Sequence, residues 1–349
     1  MKRVKSVDIF KAIGIIFMLF SHTALCDQIL VRYFNCFYMP MFFCISGYFY
    51  HDNSFLKVTI KKAKALLIPY LGIGLLGIFI DCVVVNPGGI DISYALDALF
   101  IHSYNIPVVG AIWFLIALFW AEEIFTILKR TNNKIIFHVG CIAVAMTGCT
   151  LRRIFFAMHT DYVRPIWNID SAMTAVGFMY IGYLAFIFKE TKIVKCALNL
   201  PKYIILPMLI VNIYLASITY ITMWANDYKN IPLLWINGIM GSIIWYSISK
   251  HIDNSKILEV QALGNLLAYI GKNSIIFLCW NQLVLYVFKK ILRNNAMWPK
   301  TETETRIWFV VFFVFTLLAL LAISHINIRR KELTKRFKQY ITEKHAREN

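Results

Sequence analysis

The sequence predicts an all-α integral membrane protein of about ten transmembrane helices, with both termini in the cytoplasm. Three observations carry this expectation. Of the 349 residues, 59% are hydrophobic, well above the roughly 45–50% of soluble domains. Ten apolar stretches, at about 7–26, 34–50, 65–85, 109–128, 134–150, 167–188, 203–223, 231–249, 266–288 and 307–327, each approach the ~20 residues a helix needs to cross a bilayer. Lys and Arg gather in alternate connections: MKRVK, Lys57–Lys64, Lys129–Lys134, Lys189–Lys195, Lys250–Lys256 and from Arg329 onward. Such bias marks the cytoplasmic side, and an even number of spans returns the chain to it.

No Ser-, Gly- or Pro-rich linker and no repeat divides the chain. Residues 1–327 read as one membrane domain and 328–349 as a basic cytoplasmic tail. The formal charge of +17 calls for no nucleic acid, since cytoplasmic loops are selectively basic. The eight cysteines form no CxxC pair. Cys44, Cys82, Cys141, Cys149 and Cys279 lie in apolar spans and read as small core residues. Cys26 and Cys36 flank the first outer loop, where a disulfide is conceivable. The eight histidines show no metal-ligand spacing, so no metal site is expected.

The first span, KSVDIFKAIGIIFMLFSHTALC, carries ionisable groups where they are costly. Because Asp8 and Lys11 interrupt it, it reads as a retained helix rather than a cleaved signal. Lys11 and His22 are eleven residues apart, about three helical turns, so they share a face with some 16 Å of rise between them. Asp8 falls within about 40–60° of that face. The bland reading is a snorkelling lysine and a satisfied core histidine; the functional one is an inward catalytic stripe.

In the second span, FYMPMFFCISGYFY, Gly47 suits close packing against the first span, whereas Ser46 either bonds across that contact or shapes a cavity. Lys57, Lys61 and Lys64 share a helical face, fit for anionic lipid or for phosphate. Residues 86–108 form an outer loop with a short amphipathic helix near Ile92–Phe100. Glu122 and Glu123 face the inner half of the fourth span. The outer stretch RPIWNID puts Asn168 and Asp170 at the head of an apolar helix, which capping by Asp170 explains in part. Gly271-Lys272-Asn273-Ser274 reads as a break and a cap before a helix whose Asn281 and Gln282 turn inward, because unpaired amides are expensive in an apolar run. Two outer segments are basic: Arg152, Arg153 and Arg164, then Lys289, Lys290, Arg293, Lys300 and Arg306. Late loops tolerate such charge; an anionic substrate is the alternative.

Together these segments resemble acyltransferase family 3, and within it the fucose 4-O-acetylase-like branch of sugar O-acetylases. The resemblance rests on Asp8 with Lys11-x10-His22, Phe42–Phe49, Lys64 through Pro69-Tyr70, Ile112–Phe119, Pro165–Ala175 with Gly182-Tyr183, and Ile270–Ile275. It implies a multi-pass enzyme of a bacterial inner or plasma membrane that transfers an acyl group, usually acetyl, from acetyl-coenzyme A to a sugar hydroxyl. Acetyl-CoA enters as co-substrate rather than as a bound cofactor, and the implied partners are the acyl-CoA donor, a carbohydrate acceptor and membrane lipid. His22, with Lys11 and Asp8, is then the expected catalytic group, Lys61 and Lys64 hold the donor, and Ser46, Trp113, Asn168, Asp170 and Asn281 line the substrate cavity. Two departures stand out. Lys11 occupies a position where the family usually has Arg, keeping charge but losing the bidentate fork. Asn281 stands near where a second histidine is often found, so acid–base chemistry rests on His22 alone. His51, His138, His251, His325 and His345 fall in or near cytoplasmic segments, and His102 and His159 in outer ones. A transporter or flippase of a lipid-linked saccharide would also use buried Asp, Lys and His; it would favour inverted repeats, which the sequence does not show.

Overall fold

The computed structural model describes residues 3–23, 25–51, 55–85, 91–101, 106–158, 164–295 and 297–348, and the side chains of Phe55, Lys335 and 338–348 are not described. His102 and His159, and the side chain of His345, therefore lie outside the described residues. In chain order the helices are α1 (Lys5–His22), α2 (Gln28–Asn35), α3 (Tyr38–Tyr48), α4 (Phe55–Lys62), α5 (Ile68–Ile80), α6 (Ile92–Leu96), α7 (Trp113–Lys129) and α8 (Lys134–Ala157). They continue as α9 (Ile169–Ile187), α10 (Lys192–Ala197), α11 (Lys202–Ser217), α12 (Ile231–Asp253), α13 (Leu258–Lys272), α14 (Ser274–Asn294) and α15 (Glu302–Glu348). A two-stranded antiparallel hairpin, β1 (Ile221–Thr222) and β2 (Asp227–Tyr228), pairs Ile221 with Tyr228.

Among the described residues eight helices are long and apolar enough to cross a membrane. Two of the ten expected spans fall short of that standard for physical reasons. α1 has 18 residues but carries Lys5, Asp8 and Lys11. It tolerates them because neighbours cover it: Asp8 is only 6% exposed. α11 stops at Ser217 after 16 residues, because the chain then turns into the hairpin, where Asn226 takes the left-handed conformation at φ 48°. The expected second span is two helices that meet at Cys36 and Phe37. α15 runs on through residue 328 without a break, so its basic end continues the last span.

The opposite surfaces of α8, α11 and α15 expose Ile135, Ile142, Leu206, Ile210, Val310 and Leu318. A ring of large apolar side chains facing outward is favourable in lipid and unfavourable in water. The protein is therefore a multi-pass membrane protein.

Inside, α3 packs on α9, and α9 also contacts α7 and α8; α1 packs on α12, α13 and α14. Backbone touches backbone at the α3–α9 crossing. A Cβ at Gly47 would lie 1.8 Å from the Met179 carbonyl oxygen, and one at Gly182 2.0 Å from that of Cys44. Gly47 thus serves contact with α9, not with the first span. Gly271 brings α13 equally close to α1 at the Asp8 carbonyl. The break at Asn273 is present, but its amide Nδ2 donates back to the Tyr269 carbonyl at 2.9 Å and caps no residue of α14. Cys26 and Cys36 are free thiols, so the conceivable disulfide is absent; Cys36 is buried in the main core.

One end of the bundle collects the lysines. Lys5 meets Asp253 at 3.8 Å, Lys62 pairs with Glu122, and the Lys129 ammonium donates to the Tyr183 hydroxyl at 2.7 Å. At the other end lies the hairpin, on which the head of α9 docks.

Candidate active site

A cavity of about 350 Å³ opens between α1, α3, α7, α14 and the turn after α4. Lys11 and Ile15 come from α1, Phe42 and Ser46 from α3, Glu122 from α7 and Leu278 from α14. Residues Ala63–Leu67 form a π-helical turn between α4 and α5. That wider turn shifts the register of the lysine-rich segment: Lys62 lines the cavity, while Lys57, Lys61 and Lys64 are exposed. The structure thus leaves Lys61 and Lys64 off the cavity wall and supplies Lys62 in their place.

The polar end of this cavity is built around a buried carboxylate. Glu122, 5% exposed, accepts from Lys62 and, at 2.7 Å, from the Ser46 hydroxyl, both on Oε1. Its Oε2 is buried without a hydrogen-bond partner among the described residues. Next to it, Glu123 accepts from the Thr59 hydroxyl at 2.8 Å. Lys62 is thereby neutralised. The Lys11 ammonium, on the cavity wall, makes no hydrogen bond or salt bridge among the described residues. Asp8, expected beside it in the catalytic set, is taken by Arg3, whose Nη2 reaches Oδ1 at 3.0 Å and whose Nε donates to Oδ2. Asp8 is 6% exposed and holds the start of α1 in place rather than reaching the cavity.

Further along α1, two turns beyond Ile15, sits the half-buried His22. Its Nδ1 lies 3.2 Å from Oδ1 of the fully buried Asn281 on α14. Asn281 is itself pinned, because its Nδ2 donates to the Leu278 carbonyl, leaving Oδ1 as the only atom that can face the ring. An amide oxygen accepts and does not donate. In the neutral ring Nδ1 then carries the proton, and Nε2, which has no hydrogen-bond partner among the described residues, holds the lone pair. Leu278, whose carbonyl holds Asn281, lines the cavity, so the pair lies one turn of α14 past its wall. The neighbouring amide, Gln282, is spent on structure: its Oε1 accepts from the Ala111 N–H at 2.7 Å.

A family model for an acyltransferase domain matches residues 4–325, which takes in every helix that borders this cavity. The chain belongs to acyltransferase family 3. No curated protein and no solved structure matches it. As a member of that family it is a membrane acyltransferase.

Of the five residues expected in the cavity of this family 3 acyltransferase only Ser46 lines it; Asn281 lies one turn past its wall, and three others lie elsewhere. Trp113 is buried at the start of α7 but is not on the wall; its neighbours Phe114 and Leu115 are. Asn168 and Asp170 belong to a buried polar joint at the other end of the bundle. Arg164, 8% exposed, grips the fully buried Asp170 through Nε and Nη2 at 3.1 and 3.2 Å. Asn168, in a left-handed conformation at φ 52°, donates to the Trp224 carbonyl at 3.2 Å. The Ser171 hydroxyl donates to Met223, and the Asn226 amide to Gly148. This joint fastens the head of α9 to the hairpin. Arg152 and Arg153 serve it too, donating to the carbonyls of Ala225 and Tyr228 at 3.0 and 2.8 Å. The basic residues of this segment therefore satisfy backbone carbonyls in and around the hairpin, which must be paired when buried. In the second basic segment Lys290 donates to the Val84 carbonyl at 3.2 Å, and Arg293 lies 4.7 Å from the Trp298 ring.

The remaining described histidines have other tasks or none. His138 meets the Tyr180 hydroxyl at 2.7 Å, His251 the Leu200 carbonyl at 2.8 Å, and His51 and His325 are exposed. Reading the residues alone missed Arg3, Lys62 and Arg164. Each had a legible signal: a carboxylate in an apolar span needs a cation, and Asp8, Glu122 and Asp170 are three such carboxylates.

Proposed function

We propose that this membrane acyltransferase is an O-acetyltransferase of the fucose 4-O-acetylase-like branch, moving acetyl from acetyl-CoA to a hydroxyl of a cell-surface or lipid-linked sugar. The His22–Asn281 pair carries this reading. A sugar hydroxyl is a weak nucleophile and needs a base within hydrogen-bond reach. With Nδ1–H held by Asn281, His22 offers Nε2 in the accepting form. Nε2 takes the hydroxyl proton as the sugar oxygen bonds to the thioester carbonyl carbon. The carbon–sulfur bond then breaks, and the coenzyme A thiolate leaves with the proton returned by the imidazolium. No acyl-enzyme is required.

The donor enters from the lysine-rich end, taken here as the cytoplasmic face of a bacterial inner membrane. Lys11 meets its anionic or carbonyl oxygens, and Lys62 with Glu122 and Ser46 frames the cavity it crosses. About 16 Å of helix separates Lys11 from His22, a span suited to an extended pantetheine arm. Asp8 acts through α1, holding its first turn by way of Arg3.

The test is acetyl transfer from labelled acetyl-CoA in purified membranes, with extracted glycans as acceptors. His22→Gln keeps a polar side chain and removes the base, so transfer should drop by roughly 100- to 10,000-fold at unchanged membrane abundance. Near-normal turnover of that variant would overturn the assignment.

A further inference from the structure

A second cavity adjoins the one above across α3, with Ile45 and Phe49 on the border of both. It is a slot of about 270 Å³ between α1, α3, α9, α10 and α12, walled by Phe10, Cys44, Ile181, Val194, Ala197 and Ile243. Ser46 faces the catalytic cavity, whereas Cys44 and Tyr48, two residues to either side, face this slot. Its wall is rigid, because Gly182, where α9 touches the α3 backbone, is part of it.

The slot does not end in apolar surface. Through Tyr48, Leu198 and Tyr246, which border both spaces, it opens into a basin of about 410 Å³ rimmed by Lys189, Glu190, Lys195 and Lys250. Lys195 is partnered by Glu190 at 2.8 Å, and the lysine beside it holds that carboxyl below its usual range. Lys189 rests 4.4 Å from the Phe186 ring, and Lys250 has no carboxylate partner among the described residues. The rim thus keeps two positive charges beyond the Lys195–Glu190 pair. Over the slot lies α10, whose Val194 and Ala197 turn inward while Ile193, 82% exposed, projects outward. A short helix with an exposed isoleucine beside lysines lies at a membrane interface.

We infer that this is a binding site for one anionic phospholipid of the adjoining leaflet, an acyl chain in the slot and the phosphate headgroup among Lys189, Lys195 and Lys250. The charge at the rim argues for the anionic headgroup, since a neutral lipid gains nothing from it. The apolar lining of the slot, continuous with the charged rim, suits an acyl chain attached to that headgroup. Bound there, the chain lies against Val7 and Phe10 of α1.

The experiment needs no transfer activity, so it stands or falls apart from the proposed reaction. The full chain is placed in phosphatidylcholine nanodiscs containing a trace of phosphatidylglycerol with a diazirine in its acyl chain, and cross-linked peptides are mapped. Labels should fall on slot residues of α3, α9 and α12, and unlabelled phosphatidylglycerol should displace the probe far better than phosphatidylcholine. Lys189→Gln and Lys250→Gln, both on the rim, should weaken labelling about fivefold each at low salt. Ile243→Trp should abolish it by filling the slot; should that variant fail to fold, the lysine pair decides. Equal displacement by the two lipids, or labelling indifferent to both lysines, would overturn the proposal. So would displacement by acetyl-CoA, which would make the slot a donor site.

Discussion

At the scale of single residues, the orientation of one imidazole is decided by one amide. Asn281 differs from a merely polar neighbour because its own NH2 is already committed to Leu278. Asn281→Ala should lower kcat by about tenfold or more, because the ring loses the partner that orients it. Asn281→Asp places a carboxylate against Nδ1, which favours the charged ring. A base works only when uncharged, so the acid limb of the pH–rate profile should move to higher pH in this variant. A purely structural role would reduce abundance in both variants and leave the limb in place. The lysines make a second residue-scale prediction. Lys11→Ala should raise the donor KM by roughly tenfold to a hundredfold, the worth of one charged hydrogen bond, while Lys61→Ala and Lys64→Ala, exposed, should change it little. Kinetics with varied acetyl-CoA check this, and an unchanged KM for Lys11→Ala would remove it from the donor path.

At the scale of elements, the head of α9 and the hairpin show what a membrane bundle does with irregular backbone. The strands are two residues each, too short to satisfy themselves, and three arginines supply the missing donors. Breaking a buried pair by removing one partner costs about 3–5 kcal/mol, because the other charge is left unpaired. Arg164→Ala should therefore lower the thermal midpoint in detergent markedly, and Arg164→Ala with Asp170→Ala should recover part of the loss. Were the arginines there for an anionic acceptor, the single variant would melt normally and lose only transfer.

For the whole molecule, the lysines gathered at one end imply an orientation. Both termini and the connections at Lys129–Lys134 and Lys250–Lys256 should lie in the cytoplasm, with the 86–108 loop on the other side. Single cysteines labelled with a membrane-impermeant maleimide on intact cells check it: a position such as Asp91 should react from outside, and one near Lys256 only after the membrane is opened. Reactivity of Asp91→Cys from the cytoplasm alone would refute the orientation.

The hydropathy and charge pattern by itself determined that the chain crosses a membrane many times, because the cost of burying charge in lipid acts on each segment separately. It also determined the Lys11–His22 face and the inward turn of Asn281, since helical period and the cost of an unpaired amide are local. Which partner each polar group takes was decided only by the tertiary structure. Asp8 could face Lys11 or Arg3 along one helix; the contact with α13 at Gly271 and the placement of Arg3 settle it. Asn168 and Asp170 read alike as site residues or as joint residues until the hairpin, more than fifty residues later, is folded against them. The choice of Lys62 over Lys61 and Lys64 turns on one π-helical turn, a register change of a fraction of a turn that the 3.6-residue period does not encode.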